Sequence, residues 1–296
     1  MLPFVRMLEY GNTINNGFSG IYELLDPTGT IPSPMRYPLT CTDQTYIYCT
    51  RGITTDGNID GLMIYRYNPV LNDFSTLVTI DSTHNAGTME YYNGMMYMFG
   101  GTGASELMSV YGTDGTRYSW GTGTVNSLYN IASCLVGSKM YVFGGNVNTF
   151  YIIDLDTKVI LTKTMPSGYS WVMYCGCVAY NEKTNSISIV YGNDLYIYNV
   201  STETFTKYTG SVPVSTTRSS NPYLRYFNER IYLFRGGNVG YYDTNTSSWV
   251  MISTVSVPSV SFGVGIEVIS DGKTSTVYTF FGGTVNAKGN AVHKTY

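Results

Sequence analysis

The stretch Tyr97-Met98-Phe99-Gly100-Gly101 recurs as Tyr141-Val142-Phe143-Gly144-Gly145, Leu233-Phe234-Arg235-Gly236-Gly237 and Thr279-Phe280-Phe281-Gly282-Gly283. Two weaker copies are in phase with it, Cys49-Thr50-Arg51-Gly52 and Ile189-Val190-Tyr191-Gly192-Asn193. Counted from Gly52, the first glycines of these runs are 48, 44, 48, 44 and 46 residues apart. A near-constant period of this size marks one supersecondary unit copied around an axis, not a string of separate domains.

Downstream of the first five glycine runs comes a second fixed pair, two bulky residues seven apart: Tyr67 and Phe74, Tyr111 and Tyr118, Ile153 and Ile160, Tyr198 and Phe205, Tyr242 and Trp249. The first member is usually followed by an Asx residue, as in Asn68, Asp154, Asn199 and Asp243. An Asx side chain can satisfy the backbone of a tight turn, so the pattern predicts a hairpin in each unit. Another strand-like stretch lies upstream of each glycine run, at residues 131–136, 172–179, 222–226 and 261–269. Each unit then holds four short strands. Such sheets cannot bury both faces alone, and packing them face to face around a ring solves that while leaving only short edges.

On these motifs the chain resembles the kelch-repeat β-propellers, whose blades carry a diglycine after the second strand and a spaced Tyr and Trp further on. Tyr242-Asp243 with Trp249 is the closest match, Tyr111 with Trp120 a looser one, and the resemblance covers roughly residues 35 to 296. It implies an all-β propeller in which Gly100, Gly101, Gly144, Gly145, Gly236, Gly237, Gly282, Gly283, Tyr242 and Trp249 are structural. The expected layout is one domain: a closing segment 1–34, repeated blades over 35–286 and a tail 287–296. Residues 21–31 look like an outer hairpin that completes the last blade, giving six blades closed by strands from both termini. Tyr10-Gly11-Asn12 resembles Tyr191-Gly192-Asn193 and leaves a seventh, partial blade as the alternative.

Charged residues make up 12% of the 296 and hydrophobic ones 43%, which excludes a disordered polyelectrolyte and fits large buried sheet faces. The net charge is −3 with no basic run, so a phosphate-tracking nucleic-acid surface is not expected. No stretch approaches about 18 apolar residues, so no membrane insertion is expected. The first residues lack a basic start with a long apolar core, which argues against a signal peptide. Five cysteines without paired spacing argue against a disulfide framework. Cys175-Gly176-Cys177 could ligate a metal in principle, but packing explains it better because no nearby His completes a ligand set.

Catalytic constellations are scarce, with only His84 in a connection and His293 in the tail. A galactose-oxidase-like copper site lacks local support. Tyr111-Gly112-Thr113-Asp114-Gly115-Thr116-Arg117-Tyr118-Ser119-Trp120 fails the spacing of a sialidase Asp-box, and Asp114-Gly115 reads as a tight turn. Asp56, Asn58 and Asp60 match the first half of a calcium loop with Gly61 at the sharp turn, although Ile64 and Tyr67 stand where further acids would be wanted. The connections at 83–88, 209–221 and 253–261 are rich in Ser, Thr, Asn and Gly. With 29 tyrosines in the chain, they resemble binding loops. The second of them, bearing Thr209, Arg218 and Asn221, is the first choice for a contact.

The expectation is a non-catalytic binding scaffold, most simply a structural or host-attachment component of a virus particle such as a phage tail, collar or fibre. It would be made in the host cytoplasm, with other structural proteins or a cell-surface glycan or receptor as partners and no cofactor beyond the calcium candidate. The alternatives are a cytoplasmic kelch-type adaptor and a glycan-active propeller enzyme.

Overall fold

The computed structural model describes residues 22–25, 27–30, 35–36, 38–50, 53–54, 62–82, 84–102, 107–120, 128–145, 147–167, 169, 177–213, 223–235, 238–243, 246–252, 265–270, 275–280 and 292–295. They form an all-β ring of small antiparallel sheets, a β-propeller arrangement. Five sheets have four strands, one has five, and Met35–Arg36 pairs with Ile53–Thr54 as a short ribbon. Four of these sheets are each a single meander of one repeat, as in Ile131–Val136, Lys139–Gly144, Thr149–Asp154 and Ile160–Thr164. The first strands are Thr40–Thr42, Thr88–Tyr92, Ile131–Val136, Val178–Asn181, Tyr223–Phe227 and Gly265–Ser270. They touch one another in that order, and Gly265–Ser270 also touches Thr40–Thr42.

The second strand of each repeat explains the periodic motif. In Met95–Phe99, Met96 and Met98 join one buried cluster while Tyr97 and Phe99 join another. Met140 and Val142 likewise face one way, Tyr141 and Phe143 the other. A strand alternates its side chains between two faces, so an unbroken apolar run means both faces are covered by neighbouring sheets. Aromatic rings cross these inter-sheet layers: Phe150 lies 5.0 Å from Phe143 of its own sheet and 5.3 Å from Tyr198 of the next. Burying one such side chain contributes about 1.5–3 kcal/mol.

Turn chemistry fixes the register. Asn93 and Gly94, both at positive φ, join Thr88–Tyr92 to Met95–Phe99 in a two-residue turn that matches strand twist. In the outer hairpins, Tyr67 pairs with Phe74, Ile153 with Ile160, Tyr198 with Phe205 and Tyr242 with Trp249. Asn68, Asp154 and Asn199 accept the turn N–H groups through Oδ1, as in Asn199 with Ser201 at 3.0 Å and Thr202 at 2.9 Å. The remaining pair differs from expectation, because Tyr111 pairs with Arg117 and Val110 with Tyr118. The turn there is one residue shorter: Gly112 N–H bonds to Thr116 O at 2.8 Å, and Gly115 takes φ +86°.

The N-terminal segment also departs from the expected hairpin. Tyr22–Leu25 pairs with Val292–Thr295, but Thr28–Gly29 pairs in parallel with Asp73 and Phe74 of a different sheet. Pro27, which has no N–H to donate, lies between the two pairings. The expected tail thus contributes a strand, Val292–Thr295, between Ser275–Phe280 and Tyr22–Leu25. The region of a seventh partial blade around Tyr10 lies outside the described residues.

Gly100 and Gly101 show why the doublet is glycine, with φ of +64° and +96°. A Cβ on Gly101 would stand 2.4 Å from the carbonyl carbon of His84, which is backbone and cannot yield cheaply. Gly94 has φ +81° but open space around it. Gly101→Ala is therefore expected to lose at least about 1 kcal/mol more than Gly94→Ala, since both incur positive-φ strain and only one meets a clash. Urea denaturation checks this, and equal losses would contradict it.

Candidate functional site

Because the first strands converge, their side chains meet at the ring axis around a cavity of about 310 Å³. In a chain so poor in charge, three charged residues line it: Glu90, Arg225 and Glu267. Glu267 has a side chain only 8% exposed, and its Oε1 accepts hydrogen bonds from Thr40 Oγ1 at 2.7 Å and Arg225 Nη2 at 3.0 Å. Arg225 Nη1 also donates to Leu224 O at 2.9 Å. Across the cavity, Ser133 Oγ donates to Glu90 Oε1 at 2.6 Å, and Thr88 forms a short hydroxyl contact with Ser133. Apart from the Arg225–Leu224 bond, these bonds join neighbouring sheets, so the belt is both a lining and a set of inter-sheet ties.

The electrostatics are uneven around the belt. Burial pushes the Glu90 carboxyl up to about 7; the Ser133 hydrogen bond and Arg225 oppose the rise, while Glu267 adds to it. For Arg225, burial works against the charge, but Glu267 and Glu90 outweigh it and raise its pKa. The Cys41 and Cys134 thiols are driven well up, first by burial and then by the nearby carboxylates. Thiols so shifted are packing groups, not nucleophiles.

Of the residues singled out from sequence, none belongs to this cluster. Asp56, Asn58 and Asp60 lie outside the described residues, as do Arg218, Asn221, Cys175, Gly236, Gly237, Gly282 and Gly283. Thr209 sits in the exposed turn after Thr204–Tyr208. Gly144 and Gly145 take φ of +106° and +81°, and Tyr242 meets Trp249 edge-on at 5.4 Å in an outer hairpin. His84 is buried, with Nδ1 2.6 Å from Gly100 O and Nε2 2.8 Å from Ser109 Oγ. A carbonyl only accepts, so Nδ1 carries the proton and Nε2 accepts from Ser109. His84 thereby clamps the diglycine turn.

The sequence does hold a signal for the axial charges, visible once the register is known. Glu90 pairs with Tyr97, Arg225 with Tyr232 and Glu267 with Tyr278, each a tyrosine of the strand that precedes a diglycine. Among the described residues, no cluster of three or more His, Cys, Asp or Glu could hold a metal ion. No helix among them is long and apolar enough to cross a membrane. Comparison with known proteins found no matching family model and no matching curated protein.

Glu90 sets a pH dependence. Its folded pKa, near 7, exceeds the unfolded value of about 4.3, so the folded state binds the extra proton between those limits. The contribution is full below about pH 4.3 and is lost as pH rises to about 7. Glu90→Gln, which still accepts from Ser133, is expected to be more stable than the parent at pH 8, by up to roughly 4 kcal/mol. The advantage should shrink toward pH 5. A pH-independent difference in urea midpoints would contradict this.

Proposed function

We propose that the protein is a non-catalytic binding and assembly scaffold: a kelch-type propeller of six blades, closed by strands from both ends of the chain. In this reading it is a structural or host-attachment component of a virus particle, such as a phage tail, collar or fibre protein. Six blades are supported by the six first strands, each in contact with the next and the last with the first. Closure is supported by the register from Tyr22↔Thr295 to Leu25↔Val292, in which a strand from before the first repeat completes the last sheet.

The scaffold reading is carried by apolar exposure at the outer parts of the sheets. Val70 is 89% exposed and Leu71 69%, at the tip of one outer hairpin. Tyr118, Leu161 and Val250 are exposed on outermost strands of three further sheets. A propeller working alone in water is expected to put charge on such edges. Apolar side chains there suit a surface covered by other structural proteins. The connection 209–221 is the first choice for a further contact, with a partner protein or a cell-surface glycan or receptor.

In the native assembly these outer edges and that connection are expected to bury at least about 1,000 Å² against other chains, the scale of a specific interface. Electron cryomicroscopy of the purified particle measures it, and an isolated monomer in native extract would overturn the reading. Removal of residues 1–33 is expected to bare sheet edges and cause aggregation. A truncated chain that stays monomeric with an unchanged melting temperature would contradict closure.

A further inference from the structure

Two carboxylates and one guanidinium line the axial cavity, and the guanidinium is engaged by one of the carboxylates. Glu267 Oε2 and Glu90 Oε2 accept no hydrogen bond among the described residues, since the bonds to both side chains fall on Oε1. The cavity therefore holds an excess of acceptor oxygens and, once Arg225 and Glu267 neutralise each other, one carboxylate without its own counter-charge. Burial raises the cost of ionising Glu90, as its pKa of about 7 reflects, and a cation joining the cavity offsets that cost.

We propose that the axial cavity binds a small organic cation, a primary ammonium on a slender chain, with Glu90 and Glu267 as its acceptors. The geometry disfavours the other ligand classes. An anion would meet two carboxylates against one guanidinium. A metal ion would find two carboxylates beside a fixed positive charge, short of the ligand set a hard divalent cation takes. A neutral polyol would add no counter-charge when Glu90 is ionised, which happens as pH rises past about 7. An ammonium offers three donors to the unused oxygens and restores charge balance. The volume of about 310 Å³ is at the small end of ligand pockets, which run from about 300 to 1,000 Å³.

Binding is coupled to a proton. The groups facing Glu90 are Ser133 and Cys134 on one neighbouring strand, Arg225 and Glu267 across the cavity, and Cys41 on the other neighbour. Its own carboxyl is half-protonated near pH 7, and an arriving ammonium displaces that proton. This inference rests on the cavity alone and stands or falls independently of the outer-edge contacts.

The probe is putrescine, with butane-1,4-diol as its neutral counterpart, titrated by calorimetry at constant ionic strength into the full chain. Putrescine is expected to bind about tenfold more tightly at pH 8 than at pH 5.5, as a charge-assisted hydrogen bond replaces a neutral one. Near pH 7 it should release a fraction of a proton, read by repeating the titration in buffers of different ionisation enthalpy. Glu90→Gln should abolish both the pH dependence and the proton release while remaining folded, and the diol should not bind. Equal binding of diol and diamine, no binding of putrescine at 10 mM on the order of the weakest specific affinities, or heat independent of buffer in the unmodified chain would each overturn the proposal.

Discussion

Each sheet in this molecule has two apolar faces, and that constraint shapes everything else. Residues 96 to 99 pass their side chains alternately into two different clusters, and residues 140 to 143 do the same one repeat later. A sheet of this kind exposes a full apolar face wherever a neighbour is missing. Only an arrangement in which every sheet has a neighbour on each side removes that penalty, and a ring supplies it with the same repeat used throughout.

The ring in turn dictates the axis. When the first strands converge, their side chains are brought close whether or not they are polar, and a polar one must find its partner on another sheet. Thr40, Arg225 and Glu267 do so across three sheets, and Thr88, Glu90 and Ser133 across two. Structural ties and a ligand-sized cavity are thus two aspects of the same convergence. Glu90 is where they conflict, because its carboxyl is buried while the cation within range is held by Glu267.

The repeat was legible because glycine at positive φ beside a closely packed backbone leaves little choice, as Gly101 against His84 shows. The outer hairpins were legible for a similar reason: Asn68, Asp154 and Asn199 each accept their own turn N–H groups, a local interaction. Where outcome and pattern diverged, the deciding feature was a turn one residue shorter at Asp114-Gly115, or a partner far away in sequence. Thr28–Gly29 lies beside Asp73 and Phe74, which no nearby residue could announce. The axial cluster is of the second kind, since Glu90, Arg225 and Glu267 stand far apart in the chain and meet only after the sheets close in on the axis.

The most direct test of that convergence is the titration of Glu90 itself, followed through its side-chain carboxyl carbon by NMR in the intact chain. Convergence of the first strands predicts an apparent pKa near 7, set by burial with Arg225 and Glu267 in range. An ordinary carboxylate value of about 4.3 would mean that Glu90 is solvated and that the strands do not meet at the axis.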